Sequence, residues 1–573
     1  MAHGSDERRT APGKQLFRIG DYLTLWARRA PDREAAVFGD RRISYAQLSR
    51  EVDRCARALL AHGIRQGDRV AMLSTPRPEY MIVFLASLKV GAVWVGMNPV
   101  HRFEEHRFVL NDCRPRLIFA FHHLRGEDMR DLLRELRQAL PFLERLVVFD
   151  GADAGNAEVT YDAFAQGRSA DEDDYLAAVS AVELQDPAII VYTSGTTGRP
   201  KGAVLTQRNI ARCATTQLKL VPVTSLRALC NLPISHTVSS SEIVSYALAG
   251  GGTVIFQERF DPHAVLAAVE RERITFLLQI SAMFQQILAA ADSPRIYDTS
   301  SLQAVLFLGA PLARGLIARL AELGGTVFTG WGLTESTTSA TLTEAGDGID
   351  VLADTVGRPT PIFDVRLATP AGEDVPAGGV GEILVRGECV MAGYYGLPDA
   401  TAETIDPAGW LRSGDLGRFD EAGRLRLVGR IKEMFKSGGY NVYPREIEIA
   451  LESHPAVALA AVVAIPDPLF VEVGCAFVVP RADASLGTDD MAAHCRARLA
   501  NYKIPKRFVI RDRLPMLPLG KVDKATLRTE AIRLAEVTAP RQGSRTSPPA
   551  RAGQAPRTPA RDAPSSDSSV RDP

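Results

Sequence analysis

Between residue 20 and about residue 430 the chain alternates helical patterns with short β-branched and aliphatic runs, and this alternation constrains its fold most. Arg54 to His62 reads as an amphipathic helix, Arg69 to Ser74 as a strand, Glu79 to Lys89 as a helix and Ala92 to Gly96 as a strand. Leu117 to Phe121, Leu146 to Phe149, Ala188 to Tyr192, Thr253 to Phe256, Phe276 to Gln279 and Ala304 to Leu308 continue the strands. Strands alternating with helices predict an α/β fold, a large N-terminal domain of parallel α/β layers covered on both faces. From Asp364 to Val428 the strands become short and alternating. Turns at Pro370-Ala371-Gly372-Glu373 and Asp420-Glu421-Ala422-Gly423 separate them, which predicts a β-rich subdomain. A smaller α+β unit follows Gly429-Arg430. In it Pro444 starts a helix to about Ser453, Val457 to Ile465 and Cys475 to Val479 read as strands, and Asp489 to Leu499 as a helix.

At 573 residues more than one domain is expected. The predicted division is an N-terminal extension at 1–19, a large domain at 20–430, a small C-terminal domain at 431–535 and a tail at 536–573. The tail is rich in Pro, Arg and Ser and too poor in aliphatic residues to order itself. A formal net charge of −1 gives no reason to expect nucleic acid or an anionic membrane as partner. The seven cysteines are scattered without a C-x-x-C pair, which fits reduced thiols in the cytoplasm. Met1 to Lys14 has no apolar h-region, so no secretory signal is expected. Lys89, Gly91 and Gly96 interrupt the apolar stretch Tyr80 to Met97, so a buried helix leading into a buried strand is expected, with no integral membrane association. The doublet His122-His123 matches no familiar zinc spacing.

Function is concentrated in Tyr192-Thr193-Ser194-Gly195-Thr196-Thr197-Gly198-Arg199-Pro200-Lys201-Gly202, which follows an apolar strand. Small hydroxylated residues and glycines leave backbone N–H groups free to wrap an anion, and Lys201 adds a positive charge. The spacing is not that of a Walker loop, because its second glycine would fall on Pro200. Four more segments follow in order: Gly330-Trp331-Gly332-Leu333-Thr334-Glu335, Ser413-Gly414-Asp415-Leu416, Gly429-Arg430 through Tyr440 leading into Pro444-Arg445-Glu446-Ile447-Glu448, and Pro518-Leu519-Gly520-Lys521-Val522-Asp523.

Together these segments resemble the adenylate-forming superfamily of acyl-CoA synthetases, peptide-synthetase adenylation domains and beetle-type luciferases. The resemblance spans roughly residues 20 to 530, includes Gly309-Ala310-Pro311-Leu312, and is closest to acyl- and aryl-CoA ligases. It implies a mobile C-terminal domain and a two-step reaction of a carboxylic acid with ATP and then a thiol. Thr193, Ser194, Gly195, Thr196, Thr197, Gly198 and Lys201 would hold the β- and γ-phosphates. Glu335 would bind Mg²⁺, a hard cation suited to carboxylate and phosphate oxygens, and Thr334 would bond the α-phosphate. Asp415 would accept the ribose hydroxyls with help from Arg430. Adenine would lie against Gly309, Ala310 and Pro311 and against Gly330, Trp331 and Gly332, where missing side chains expose backbone. Lys521 is the expected catalytic cation of the first step. Lys432 stands at the family's hinge, and Lys436, Ser437, Gly438 and Gly439 fall in the loop that would line the channel for coenzyme A, or for the phosphopantetheine of a carrier protein.

In the expected acid pocket the segment is Leu232 to Ser241. His236 matches the family pattern and would approach the substrate carboxylate, while Ser239 replaces a usual glycine. The serine run predicts a more polar wall, lined by His236, Val238, Ser239, Leu308, Gly332 and Thr337. No acidic residue lies between Leu232 and Ser241, and Glu242 lies beyond, which argues against an α-amino acid substrate. The expectation is an ATP-dependent ligase for a medium-chain, cyclic or aryl acid. The alternatives are loading of a separate acyl carrier protein, a non-catalytic nucleotide- or acyl-binding paralogue, and a luciferase-like oxidation.

Overall fold

The computed structural model describes residues 18–151, 158–193, 199–481, 484–517 and 521–538. Two large sheets form the N-terminal domain. In the first, Glu34–Phe38, Thr253–Phe256, Arg227–Cys230, Phe276–Ile280, Ala304–Leu308 and Thr326–Gly332 run parallel in that spatial order. Antiparallel strands Arg41–Ser44 and Ser339–Leu342 flank them. In the second, Pro187–Thr193, Val93–Met97, Arg69–Leu73, Leu117–Ala120, Arg145–Val148 and Glu158–Thr160 are parallel, and Lys201–Thr206 returns antiparallel beside Pro187–Thr193.

The helix Pro78–Lys89 explains why one stretch looked membrane-like. Proline occupies its first turn with Glu79, Lys89 closes its last turn, and ten of its twelve residues are buried. It packs against strands of both sheets, so it is apolar on all sides because both sheets need covering. No helix among the described residues is long and apolar enough to cross a membrane. All seven cysteines are buried and unpaired.

The β-rich region is a four-stranded antiparallel sheet of Phe363–Ala368, Gly381–Gly387, Leu411–Phe419 and Leu425–Arg430. Beyond it, Val457–Asp467 and Val471–Pro480 pair as a long hairpin, joined by Phe435–Ser437, Tyr440–Val442 and the parallel strand Arg507–Ile510. The helices Pro444–Glu452 and Lys524–Thr538 both pack on Val457–Asp467. The three-residue hairpin strands and the Lys524–Thr538 helix were not anticipated from sequence. Much of the predicted tail, residues 539–573, lies outside the described residues.

A buried ionic cluster ties this small domain together. Lys524 Nζ sits 2.6 Å from Glu433 Oε2 and 2.8 Å from Glu448 Oε1. Glu448 also accepts the Val462 N–H at 2.9 Å and lies 3.3 Å from Arg445, which pairs with Glu452 at 2.9 Å. Burial alone would raise the Glu448 pKa, but Lys524 and Arg445 hold it below the usual carboxylate value. Replacing Glu448 with alanine leaves two half-buried cations short of a partner and the Val462 N–H without its acceptor. Glu448→Ala is expected to cost about 2–3 kcal/mol in denaturant unfolding of the full chain, against a loss under about 1 kcal/mol if Glu433 and Glu452 suffice.

Candidate active site

The strand Thr326–Gly332 runs to the carboxyl edge of the parallel strands and passes into the short helix Thr334–Ser336. Thr334 and Glu335 therefore stand where open α/β sheets bind ligands. Gly330 and Gly332 have a different reason from the one expected. A Cβ at Gly330 would meet the Thr341 carbonyl oxygen at 2.5 Å, and one at Gly332 the Thr338 oxygen at 2.3 Å. Their missing side chains make room for the neighbouring chain.

Glu335 is half-buried, and its Oε1 accepts from the Tyr394 hydroxyl at 2.9 Å and from Thr193 Oγ1 at 3.4 Å. Tyr394 lies on Gly393–Tyr394, which pairs with Lys201–Thr206, and Lys201 Nζ sits 5.0 Å from its ring centroid. Burial and the Glu335 carboxylate raise the Tyr394 pKa, so the phenol remains a donor. Thr193, Lys201 and Glu335 thus converge through Tyr394, which sequence reasoning missed. Its signal was the aromatic pair between glycines in Gly393-Tyr394-Tyr395-Gly396. Ser194, Gly195, Thr196, Thr197 and Gly198 lie outside the described residues.

Asp415 is buried on the strand Leu411–Phe419. The Trp331 indole N–H donates to its Oδ2 at 2.9 Å, and Arg430, its partner in strand register, places Nε 2.9 Å from Oδ1. Trp331 was expected against adenine. Instead its indole is buried and its N–H holds Asp415. Each carboxylate oxygen keeps a lone pair for a further donor. Gly309 and Ala310 are exposed, Gly309 has a φ of +92°, and Ser281 Oγ donates to the carbonyls of Leu308 and Ala310, pinning this turn beside Pro311.

Lys521 enters from the small domain. Burial lowers its pKa, as do the charges of Arg430 and Lys432, against the opposing pull of Asp415 and Glu335. His236 feels Lys521 as well: burial first, then that charge, bring its pKa to about 4, so the ring is neutral near pH 7. The Val238 N–H donates to His236 Nδ1 at 3.3 Å, which leaves Nε2 as the protonated nitrogen. Lys521, Arg430, Lys432, Asp415, Glu335 and His236 therefore share one electrostatic neighbourhood.

The segment Lys436 to Gly439 makes its contacts within the small domain. Gly438 and Gly439, at φ +57° and +87°, form the two-residue turn between Phe435–Ser437 and Tyr440–Val442. The Gly438 N–H donates to Phe470 O at 2.9 Å, Ser437 pairs with Val471, and Tyr440 stacks on Tyr502 at 4.5 Å.

Two of the expected pocket-lining residues are turned elsewhere. Ser239 is fully buried with its hydroxyl on the Leu232 carbonyl at 2.8 Å, and Thr337 is buried with its hydroxyl on Cys389 O at 2.7 Å. Ser240 likewise donates to Thr237 O at 3.3 Å. The hydroxyls of Ser239 and Ser240, on the π-helix Val238–Val244, bond carbonyls of the chain before it and do not make the wall polar. Thr337 adopts a φ of +65°, an outlier for a β-branched residue, immediately after the Glu335 turn. Val238 and Leu308 remain half-buried and Gly332 exposed.

Residues 23–395 match the AMP-binding enzyme family, and residues 446–521 match the AMP-binding enzyme C-terminal domain. The chain belongs to the AMP-binding enzyme family. It is 37% identical over 512 residues to a feruloyl-CoA synthase of an Amycolatopsis species, covering 89% of this chain and 98% of the relative. It is 34% identical over 515 residues to an indoleacetate–CoA ligase of Aromatoleum aromaticum, covering 89% and 97%. Its fold is similar to the crystal structure of the anthranilate CoA ligase AuaEII in complex with anthranoyl-AMP, with a TM-score of 0.80, 25% identity and coverage of 91% and 98%. In this AMP-binding enzyme the indole N–H is one of two donors that orient Asp415. Trp331→Phe is expected to raise the KM for ATP by about tenfold, the worth of a hydrogen bond to a charged group, with kcat changed much less. Steady-state kinetics at varied ATP checks this, and an unchanged KM would show that Arg430 alone suffices.

Proposed function

We propose that this enzyme is an ATP-dependent acid–CoA ligase acting on a cyclic or aryl carboxylic acid without an α-amino group. The observation that carries this reading is the meeting of Lys521 with Asp415, Arg430, Glu335 and His236. In the first step a carboxylate oxygen attacks the α-phosphorus of ATP, the bond to the β-phosphate bridging oxygen breaks, and pyrophosphate leaves. Negative charge shifts onto the leaving pyrophosphate and spreads over the α-phosphate. The Lys521 ammonium, opposite Glu335 and Asp415, stabilises that charge more in the transition state than before it. Asp415 would take the ribose hydroxyls. Thr193 and Lys201 would take phosphate oxygens, with the Thr334 hydroxyl on the α-phosphate. The Nε2–H of neutral His236 would orient the acid's carboxylate.

Mg²⁺ fits the donor set, because Glu335 is a hard oxygen ligand held in place by Tyr394 and Thr193. Glu335 would hold the ion together with ATP phosphate oxygens, and the ion would neutralise phosphate charge.

In the second step the thiolate sulfur of coenzyme A attacks the acyl carbonyl, a C–S bond forms, AMP leaves, and the thiol proton passes to solvent. The present arrangement, with Lys521 in the site and Ser437 to Gly439 outside it, suits the first step. A turn about Lys432 would exchange them. The acid class draws support from the aryl acids in the names of the related ligases, and from the lack of an acidic residue in the segment Leu232 to Ser241.

An acid panel with ATP and Mg²⁺, followed by pyrophosphate release with and without coenzyme A, tests the reading. An acyl-CoA product from an aryl or cyclic acid is expected. Acid-dependent pyrophosphate without thioester would redirect the acceptor to a carrier protein, and silence with every acid would sink the ligase. Lys521→Ala is expected to slow adenylation on the order of 10²- to 10³-fold, while thioester formation from supplied acyl-AMP stays within a few-fold. Because only protonated Lys521 helps, adenylation should fall as pH rises through its lowered pKa, hence below 10.5. That alkaline limb should be absent from the residual activity of the variant.

A further inference from the structure

The strand that carries Asp415 loses its register there. Gly381–Gly387 and Leu411–Phe419 pair antiparallel, with Glu382 opposite Leu416 and Leu384 opposite Arg412. Ser413, Gly414 and Asp415 therefore all stand opposite Ile383. A bulge of this kind bends its strand, re-aims a side chain and disrupts the ladder locally. Gly414 sits at a φ of +71°, and a Cβ there would meet nothing within 4 Å. Glycine answers here to the backbone conformation and not to a lack of room.

Side chains take up two backbone N–H groups of the bulge. The Asp415 N–H donates to Ser413 Oγ at 3.0 Å, which is local to the turn. The Gly414 N–H donates to Glu382 Oε1 at 3.1 Å, which ties the bulge to the neighbouring strand. The other carboxylate oxygen of Glu382 accepts from Arg412 Nη1 at 2.9 Å, and the Glu382 side chain is 11% exposed. One carboxylate thus holds the side chain before the bulge and the backbone at its crest. Bonds to an ionised acceptor are stronger than the neutral bonds of the ladder that they replace. Glu382 touches neither oxygen of the Asp415 carboxylate, which Trp331 and Arg430 hold. Those two fix the tip of the side chain, and Glu382 fixes the backbone from which it springs.

Resting on the reading above in which Asp415 takes the ribose hydroxyls, we propose that Glu382 is a positioning residue that sets the enzyme's preference for a ribonucleotide. It does so by holding the bulge that aims Asp415. Hydrogen bonds weaken steeply once the angle or the distance is lost, and two hydroxyls on one ring must be met at once. A bulge freed from Glu382 would leave the Asp415 charge in the site and lose its aim, so the bonds to the hydroxyls would suffer more than the affinity for the phosphates.

The test is titration calorimetry of the full-length protein with ATP and with 2′,3′-dideoxy-ATP, each with Mg²⁺ and no acid, so that the result does not depend on which acid is activated. The wild type is expected to bind ATP on the order of a hundredfold more tightly, because the dideoxynucleotide lacks both donors to a charged acceptor. Glu382→Ala should bring that ratio to within about fivefold, chiefly by weakening ATP. Glu382→Gln keeps an oxygen for the Gly414 N–H and should retain a ratio of about tenfold or more. Arg412→Met leaves the Glu382 carboxylate without its second partner and should also lower the ratio, and it carries the test if Glu382→Ala does not fold. A Glu382 that only stabilised the sheet would weaken both nucleotides alike. A ratio kept in whichever of Glu382→Ala and Arg412→Met folds therefore overturns the proposal and leaves Asp415 as the ribose acceptor. A wild type that binds the two nucleotides equally overturns the ribose reading of Asp415, and this inference with it.

Discussion

The double ion pair of Lys524 is the contact on which the placement of Lys521 depends. Among the described residues on either side of Lys521, one isolated bridge joins Met516 and Val522, the Leu517 N–H donates to Lys521 O and the Asp523 N–H donates to Pro515 O. Three residues later Lys524 is gripped by Glu433 and Glu448. Glu433 directly follows Lys432, so the ammonium that enters the site and the point about which the domain would turn are joined through one buried charge. An ion pair removed from water needs several good partners to be stable, and here two carboxylates share the cation. The gain is geometric, because a turn lysine on a flexible stem is worth little to a transition state unless its base is fixed.

The charges around the site explain why a polyphosphate belongs there. Lys521 feels the cations Arg430 and Lys432 and the carboxylates Asp415 and Glu335, and Lys201 lies 5.0 Å from the ring of Tyr394, which holds Glu335. Mutual repulsion of the cations is visible in the lowered pKa of Lys521, to which Arg430 and Lys432 contribute after burial. An anionic substrate relieves that repulsion, so binding energy and cation strain act in the same direction. His236 takes the other outcome. Burial, with the charge of the same lysine, keeps it neutral, and in the proposed reaction a neutral N–H would orient a carboxylate without trapping it as a salt bridge.

The layered α/β architecture was legible because strands buried on both faces show as uninterrupted apolar runs. Leu117–Ala120 and Ala304–Leu308 are of this kind. The site carboxylates were legible because each stands in a glycine-containing segment, Gly330-Trp331-Gly332-Leu333-Thr334-Glu335 and Ser413-Gly414-Asp415-Leu416. The contacts that aim them were not. Trp331 reaches Asp415 across 84 residues and Tyr394 reaches Glu335 across 59, and nothing local in either sequence segment points to its partner. The run of serines after His236 was misread for a physical reason. Serine hydroxyls compete for nearby carbonyls, and those of Leu232 and Thr237, just ahead of the π-helix, take the Ser239 and Ser240 hydroxyls, so polarity in the sequence became backbone satisfaction in the fold.

The π-helix after His236 is braced by a distant segment. It begins two residues after His236 and turns more widely than an α-helix, and Glu242 on it accepts from the Thr338 hydroxyl and the Ser339 N–H. Thr338 and Ser339 follow the Glu335 turn closely, so the segment that carries His236 and the turn that carries Glu335 are tied to each other through one buried carboxylate. A buried carboxylate that loses its donors is costly, so a change in either segment is felt in the other.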